Sequence, residues 1–130
     1  MREILFKGKR IDNGEWVVGN LISASDGRRA ISETSGNWEL YTCFPKTICQ
    51  FTGLCDKNGK RIWENNVVWL VCDGEEHIYQ IVWDNSELDF KATNGEENYG
   101  SNFEYLLCCD EIEVIGNIFD NPELLQEEHK

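Results

Sequence analysis

Histidines are the first residues to consider for chemistry in this chain, because an imidazole can accept or donate a proton near neutral pH. There are two, and His129 stands one residue from the end of the sequence, where chain order is usually poor. His77 is therefore the one candidate general base, and no serine or cysteine has a spacing that pairs it with His77. A single histidine on a strand is more often a packed or surface residue than a catalyst, so we predict no catalytic residue.

Neighbouring carboxylates are the second group that could do chemistry, since they bind cations and transfer protons. They occur as pairs at Glu75-Glu76, Glu96-Glu97 and Asp110-Glu111. The chain has 24 Asp and Glu among 130 residues, so such pairs arise from composition alone. The glycines follow neither G-x-G-x-x-G nor phosphate-loop spacing, which removes the common nucleotide-binding motifs. The sequence accordingly predicts no metal ion and no cofactor.

Cysteines are the remaining reactive side chains, and no two of them have the C-x-x-C spacing of zinc ribbons or redox motifs. The first seven residues lack the long apolar segment of a secretory signal, and the longest apolar run, residues 67–72, is too short for a membrane helix. We therefore expect a cytoplasmic protein that does not bind membranes, with small, buried, reduced thiols. A metal site of distant cysteines with His77 is a less favoured alternative. The cysteines are Cys43, Cys49, Cys55, Cys72, Cys108 and Cys109.

Charge is unevenly distributed along the chain. Residues 1–61 carry ten basic and seven acidic side chains, a net +3, whereas residues 62–130 carry two and seventeen, a net −15. The negative half repels nucleic-acid phosphates, and the mildly basic half can meet an acidic surface such as that of a second copy. Basic pairs at Lys9-Arg10 and Arg28-Arg29 lie among aromatic residues, but they are weak evidence, and we do not expect nucleic acid as a partner.

Turn dipeptides predict a mainly β fold. Asn13-Gly14, Asp26-Gly27, Asn58-Gly59, Asp73-Gly74 and Asn94-Gly95 favour the positive φ of tight hairpins. Between them the apolar residues alternate with period two or form short runs, which favours strands over helices. The predicted strands are residues 3–6, 15–22, 38–44, 47–52, 67–72, 77–83, 88–92 and 111–119. The strand at 77–83 is expected to be covered on both faces, and residues 98–109 fit either a short helix or a strand.

The last ten residues predict a short helix over 121–130. Asn121 can cap it, Pro122 suits the first helical position, and Glu123 favours the positive end of the helix dipole. A helix of this length is not stable alone in water, so Leu124 and Leu125 are expected to pack on the rest of the protein or on another subunit.

One stretch of the sequence contains a long motif that composition alone does not explain. Residues 50–64 read QFTGLCDKNGKRIWE and are followed by Val67-Val68, and this pattern resembles the central signature of the YopX family of bacteriophage and prophage proteins. Residues 2–4 with 14–19 resemble the family's start, and residues 113–125 resemble its close. The resemblance implies a mainly β fold with an SH3-like barrel, assembly into homo-oligomers and an origin in phages or integrated elements. It implies no established activity.

The signature residues form the predicted site, and we assign them a structural role. With the resemblance, the chain is expected to have an N-terminal β-hairpin subdomain over residues 1–48, an SH3-like barrel over 49–120 and the short helix over 121–130, all of which can form one compact domain. The signature residues are Gln50, Phe51, Thr52, Gly53, Leu54, Asp56, Asn58, Gly59, Ile62, Glu64, Ile115, Gly116, Asn117, Asn121 and Pro122.

The central signature also has a physical interpretation. Phe51 and Leu54 are predicted to bracket a chain reversal at Gly53, and residues 56–59 to form the next turn, in which Asp56 bonds its own backbone. Family members commonly have Gly-Asp where this chain has Asn65-Asn66. Asparagine is the non-glycine residue best able to adopt left-handed backbone geometry, so Asn65 is expected to keep the turn, although a carboxylate is lost.

Three classes of function follow. The favoured one is a non-enzymatic phage or prophage accessory protein in the bacterial host cell, acting in self-assembly or in binding a phage or host protein. The second is an acidic DNA mimic that occupies a host DNA-binding protein. The third is a small metal-dependent enzyme that uses His77 and nearby carboxylates.

Overall fold

The computed structural model describes residues 4–33, 39–72, 74–84, 89–93, 101–102 and 110–124 of the chain. Antiparallel strands account for most of these residues, so the predicted mainly β fold is confirmed. A 3-10 turn, Pro45–Thr47, precedes the fifth strand. The strands are β1 (Phe6–Lys9), β2 (Trp16–Ser23), β3 (Arg29–Glu33), β4 (Leu40–Cys43), β5 (Cys49–Cys55), β6 (Arg61–Trp63), β7 (Asn66–Cys72), β8 (Glu75–Asp84), β9 (Asp89–Thr93), β10 (Ser101–Asn102) and β11 (Glu111–Asn117).

The chain forms two compact units, which we call unit 1 (Met1–Gly53) and unit 2 (Leu54–Lys130). The division falls inside β5, a few residues after the position that the sequence suggested for the end of the first subdomain. One sheet has the strand order β4-β3-β2-β1-β5-β6, and the other has the order β10-β9-β8-β7-β11.

Unit 1 contains a meander in which β1, β2, β3 and β4 each pair with the next strand. The glycines of the first two turn dipeptides have positive φ, 73° at Gly14 and 95° at Gly27, as hairpin turns require. An isolated bridge between Arg10 and Cys43 joins the end of β1 to β4. The meander buries one face, on which Val17, Ile31 and Cys43 form the core.

The first strand lies later than predicted. The apolar residues at 3–6 suggested a strand there, but β1 is Phe6–Lys9 and overlaps the prediction at one residue. Pairing with β2 and β5 defines this strand, and at Gly8 it is tightly packed: a Cβ there would lie 2.7 Å from Ile48 Cδ1 and 3.0 Å from Cys43 Cβ. The hydrophobic pattern of the sequence does not indicate this close approach of the backbone to the two side chains.

Two strands were not predicted. β3 begins and ends with charged residues and buries Ile31 alone, so it has too few apolar positions to show a period of two. β6 is three residues long. Both strands are stabilised by pairing with the strands beside them. This pairing is a tertiary interaction, so the local sequence does not indicate it.

Unit 2 is centred on β7, which lies between β8 and β11. Val67 and Val68 point to opposite faces and are both fully buried, as expected for a central strand with a continuous apolar sequence. The main core of this unit lies on one face of the sheet and consists of Ile62, Val68, Leu70, Cys72, Ile81, Phe90 and Ala92.

The two faces of β8 are less buried than predicted. Ile81 is fully buried, but Trp83 is 38% exposed and packs edge-on against Phe90. In the part of the chain that the structure describes, no helix has the length and apolar character needed to cross a membrane.

The predicted SH3-like barrel is not confirmed, because within the described residues neither sheet closes on itself. In unit 2 the sheet is open, with β10 at one edge and β11 at the other.

Of the predicted C-terminal helix the structure describes only the start. Pro122 lies in a turn, Glu123 and Leu124 are helical, and the Leu124 N–H donates to the Asn121 carbonyl over 3.2 Å. Asn121 does not cap a following helix, because its side-chain oxygen faces backwards and accepts from the Asn117 N–H. The rest of the predicted helix, residues 125–130, lies outside the described residues, as does most of the ambiguous segment 98–109.

Candidate functional site

Asp56 is the polar centre of the signature and is 8% exposed. Its Oδ1 accepts hydrogen bonds from the N–H groups of Asn58 and Lys60, both over 2.9 Å, and these bonds close the turn between β5 and β6. Its Oδ2 accepts from the Val114 N–H over 2.9 Å, which joins the turn to β11. The predicted turn with Asp56 bonded to its own backbone is confirmed, and the contact to Val114 was not foreseen.

The charge state of Asp56 follows from these contacts. Burial alone would raise the pKa of its carboxyl group, because desolvation disfavours the ionised form. Three backbone N–H donors, on Val114, Lys60 and Asn58, together with the Lys60 charge, outweigh burial and lower the pKa of Asp56 below its ordinary value. Asp56 is thus ionised at neutral pH, and its oxygens bond main chain.

The turn of residues 56–60, which we call the signature turn, covers the outer edge of β11. The Lys57 N–H donates to the Ile112 carbonyl over 3.0 Å, beside the bond from Val114 to Asp56. The Lys57 ammonium lies 3.2 Å from the Glu113 carboxylate and 5.0 Å above the Trp69 ring. Uncovered edge strands are sites of unwanted pairing with other chains, so the signature turn protects this edge.

The Asn65-Asn66 dipeptide keeps the turn between β6 and β7, as predicted. Asn65 has φ 70°, and its side-chain oxygen accepts from Gln80 Nε2 over 3.1 Å. Asn66 is 3% exposed, and its side-chain oxygen accepts from the Trp63 N–H over 2.7 Å. An amide oxygen thus serves as the acceptor in this turn.

The closing signature forms a second asparagine turn after β11. The Asn117 side-chain oxygen accepts from the N–H groups of Phe119 and Asp120, both over 2.9 Å. Gly116 lies next to Asn121 so closely that a Cβ on it would be 2.6 Å from the Asn121 Oδ1. Ile115 is half-buried, and Pro122 is exposed on the turn that follows.

The predicted chain reversal at Gly53 is wrong. β5 runs through this residue, which has φ 93° and is exposed. A glycine with positive φ inside a strand produces a local kink and leaves the strand to continue, and the actual reversal occurs one turn later, at residues 56–60.

The other signature residues build strands and cores. Phe51 and Thr52 are buried in β5, and Gln50 is half-buried there. Leu54 packs against the core of unit 2, in which Ile62 is fully buried, as predicted. Glu64 is half-buried, and Gly59 has φ 82° in the signature turn next to exposed Asn58.

Of the side chains considered for catalysis, His77 and Glu75 lie close together at the start of β8, whereas Glu96 and Glu97 lie outside the described residues. His77 stacks on Tyr79 at 5.2 Å between ring centroids, and its Nε2 lies 3.6 Å from the exposed Glu75 carboxylate. Burial raises the pKa of the Cys43 thiol, which disfavours the nucleophilic thiolate. Across the described ranges, no three His, Cys, Asp or Glu side chains are arranged to hold a metal ion.

The cysteines differ in state. Cys43 and Cys49 are buried free thiols, and Cys55 is an exposed one. Cys72 takes part in a disulfide bond, so the expectation of a reduced thiol is wrong at this position.

Basic and aromatic residues do meet on unit 1. The Lys7 and Lys9 ammonium groups lie 4.4 and 5.4 Å from the centroid of the Trp16 ring. The two lysines already occupy this ring, so the arrangement is an internal cation–π contact.

Unit 1 has a shallow, partly apolar groove of about 200 Å³ on the outer side of β2, β3 and β4. Its largest apolar members are exposed, Ile22 by 42% and Leu40 by 56%. Arg28 pairs with Asp26 over 2.8 Å, whereas Arg29 has no carboxylate partner among the described residues. We call this feature the arginine groove; its residues are Ile22, Ala24, Arg28, Arg29, Ala30, Leu40 and Thr42.

Sequence reasoning missed the arginine groove because it missed β3. The sequence shows the pair Arg28-Arg29, but without β3 it gives no reason to place the pair beside Ile22 and Leu40. The register aligns Ile22 with Ala30 and Ala30 with Thr42, which puts the side chains of three strands on one face. Arg29 is the neighbour of Ala30 in β3 and is aligned with Cys43, so its side chain starts from the opposite face.

Comparisons with known proteins agree with this architecture. The crystal structure of protein EF1440 from Enterococcus faecalis is similar to this chain with a TM-score of 0.62 and 24% sequence identity, and the match covers 96% of this chain and 99% of that one. At this identity the likeness concerns the fold. No curated protein matches the chain. The family model described as YopX protein matches residues 6–126, nearly the whole sequence. The chain therefore belongs to the YopX protein family.

Proposed function

We propose that this protein is a non-enzymatic interaction module of phage or prophage origin that works in the bacterial cytoplasm by associating with further copies of itself. The observation that carries the proposal is the arginine groove, in which the exposed apolar side chains of Ile22 and Leu40 lie beside exposed Arg28. Exposed apolar surface next to charge is typical of a surface that binds another protein.

Charge supports a second copy as the partner. Unit 1 carries seven basic and six acidic side chains, a net +1, whereas unit 2 carries five and eighteen, a net −13. Unit 2 of a second copy, with its large excess of carboxylates, is thus a suitable partner for the arginines of unit 1. Complementary charge speeds association and selects the partner.

Sedimentation velocity over a wide range of protein concentration tests the proposal. We expect association that increases with concentration and that Leu40→Asp weakens, because the substitution puts a charge on the floor of the arginine groove. Ile4→Asp is the matched control, since Ile4 is 65% exposed in the same unit and is not part of the groove. A protein that stays monomeric throughout, or equal effects of the two substitutions, would overturn the proposal.

An acidic DNA mimic is the second candidate. In its favour, Glu76 and Glu111 are exposed and lie opposite Val71 in neighbouring strands, so the carboxylates form a row across the sheet of unit 2. The spacing across two strand gaps is about 10 Å. If the protein imitates DNA, excess duplex DNA and moderate salt should each release a bound host DNA-binding protein from it. Release by neither would rule the candidate out.

A further inference from the structure

The outer edge of β4 is only partly covered. β4 is the end strand of its sheet and pairs with β3 on one side. On its other side, the Ile11 N–H donates to the Thr42 carbonyl, and the Phe44 N–H donates to the Lys9 carbonyl, both over 2.9 Å. The chain after Ile11 then enters the turn in which the Gly14 N–H donates to the Arg10 carbonyl. The start of β4 therefore has no neighbouring strand on this side among the described residues.

The direction of the main-chain groups of β4 follows from these hydrogen bonds. In a paired strand, the N–H and C=O of one residue point to the same side, and those of the next residue point to the opposite side. The Thr42 carbonyl points away from β3, because it accepts from Ile11. The Thr42 N–H and both main-chain groups of Leu40 therefore point the same way. In the part of the chain that the structure describes, these three groups have no hydrogen-bond partner.

A cavity of about 310 Å³ lies at this edge, and we call it the edge cavity. Two of its members, Ile11 and Leu40, are aliphatic and are 52% and 56% exposed. The Asp12 carboxylate accepts from Arg10 through both of its oxygens, over 2.9 and 2.6 Å, so its charge is balanced. The edge cavity thus combines open main-chain donors and acceptors with apolar walls. Its residues are Ile11, Asp12, Leu40, Tyr41 and Thr42.

We propose that the edge of β4 binds an extended peptide segment of a partner protein, which joins the sheet as an additional strand in the edge cavity. An extended main chain presents donors and acceptors at the spacing of a neighbouring strand, whereas a helix uses these groups within itself.

The walls of the edge cavity define the chemistry of the segment. In strand addition the main chain provides affinity, and alternate side chains provide specificity. The residue opposite Leu40 has its side chain on the same face as Leu40, so an aliphatic or β-branched residue fits there. Because Asp12 is paired with Arg10, an uncharged segment fits this part of the cavity. The contact is separate from self-association, since a protein that stays monomeric can still bind a peptide at this edge.

Thr42→Pro tests the contact, because it removes the Thr42 N–H, which bonds nothing among the described residues of the free protein. An edge strand tolerates proline where the N–H faces outward, so the variant should fold. The probe is a short fluorescein-labelled peptide of alternating valine and threonine with a lysine at each end, and fluorescence anisotropy measures its binding to the full chain. We expect the wild type to bind this peptide and Thr42→Pro to raise its Kd by about tenfold. Thr42→Val keeps the N–H and is the matched control, with a Kd close to that of the wild type.

A modified peptide keeps the test valid if Thr42→Pro does not fold, which circular dichroism would reveal. Methyl groups on alternate main-chain nitrogens of the peptide block one of its hydrogen-bonding edges, and methylation of the nitrogens in between blocks the other. We expect one of the two methylated peptides to lose binding to the wild type, because only one edge of the added strand faces β4. Failure of the unmodified peptide to bind, or equal binding of all three peptides, would overturn the proposal.

Amide hydrogen exchange, followed by NMR, locates the contact. In the free protein the Thr42 N–H should exchange faster than the Tyr41 N–H, which points towards β3, and the peptide should slow exchange at Thr42. Slow exchange at Thr42 without peptide at every protein concentration would show that the edge is already closed. Protection that appears without peptide as the protein concentration rises would show that a second copy occupies the edge. Either result would overturn the proposal.

Discussion

Asp56 is a buried, ionised carboxylate whose oxygens accept hydrogen bonds from three main-chain N–H groups. A buried charge is stable only where its hydrogen bonds are satisfied, and here the donors come from two parts of the chain far apart in sequence. The contribution of Asp56 to stability therefore depends on its charge and on both of its oxygens.

Asp56→Asn should lower the free energy of unfolding by about 1.5–3 kcal/mol, the usual contribution of a hydrogen bond to a charged group. The amide keeps one acceptor oxygen for the signature turn but turns an NH₂ group towards the Val114 N–H, which also donates. Urea denaturation measures the change. Asp12→Asn, at an exposed carboxylate paired with Arg10, is the control and should cost less than about 0.5 kcal/mol. Equal losses in the two variants would contradict the structural role of Asp56.

The contribution of Asp56 should also depend on pH. Its pKa is lowered in the folded protein, so its stabilising effect is complete above the ordinary carboxyl pKa of about 3.9 and is lost as pH falls through the lower folded-state value. The difference in unfolding free energy between wild type and Asp56→Asn should therefore be constant from neutral pH down to about pH 5 and then shrink towards acid. A difference that grows on acidification would contradict the lowered pKa.

At the scale of elements, the close approach of two strands decides which residue type fits at some positions, and the hydrophobic pattern does not indicate these positions. A Cβ on Gly19, in β2, would lie 2.0 Å from the Ser32 carbonyl oxygen in β3. Because backbone rather than a flexible side chain blocks the site, the two strands cannot remain paired around a larger residue. The same kind of constraint acts at Gly116, where the blocking atoms belong to a side chain.

Gly19→Ala should destabilise the protein by about 3 kcal/mol or abolish cooperative unfolding, since the added methyl group forces β2 away from β3. Gly14→Ala is the control: it has open space around its Cβ and a φ of 73°, so it carries only backbone strain of about 1–2 kcal/mol. Chemical denaturation of both variants measures the difference. A smaller loss for Gly19→Ala than for Gly14→Ala would show that the approach of β2 to β3 is looser than described.

Gly116→Ala should be partly rescued by Asn121→Ala. The new Cβ would lie 2.6 Å from the Asn121 Oδ1, and shortening Asn121 removes that clash. In a double-mutant cycle the combined variant should lose less stability than the sum of the two single losses, by about 0.5 kcal/mol or more. Strict additivity would mean that Gly116 and Asn121 do not interact.

At the scale of the whole molecule, charge is concentrated in unit 2, which carries a net −13. Repulsion among exposed carboxylates favours expanded states, and salt screens it. Sodium chloride at about 0.5 M, where charges separated by more than a few ångströms are screened, should therefore raise the midpoint of thermal unfolding above its low-salt value. Differential scanning calorimetry at fixed protein concentration measures it, and a midpoint that falls with added salt would contradict the account.

Sequence alone determined the β class, the hairpin turns at Gly14, Gly27 and Gly59, the left-handed Asn65 and the bond of Asp56 to its own turn, because each depends on interactions within a few residues. Tertiary structure decided where β1 lies, that β3 and β6 are strands, that Asp56 also bonds Val114, and that Ile22, Ala30 and Leu40 share a groove. These features join residues distant in the chain, and their energies arise only once strands pair and backbones meet at positions such as Gly8 and Gly19.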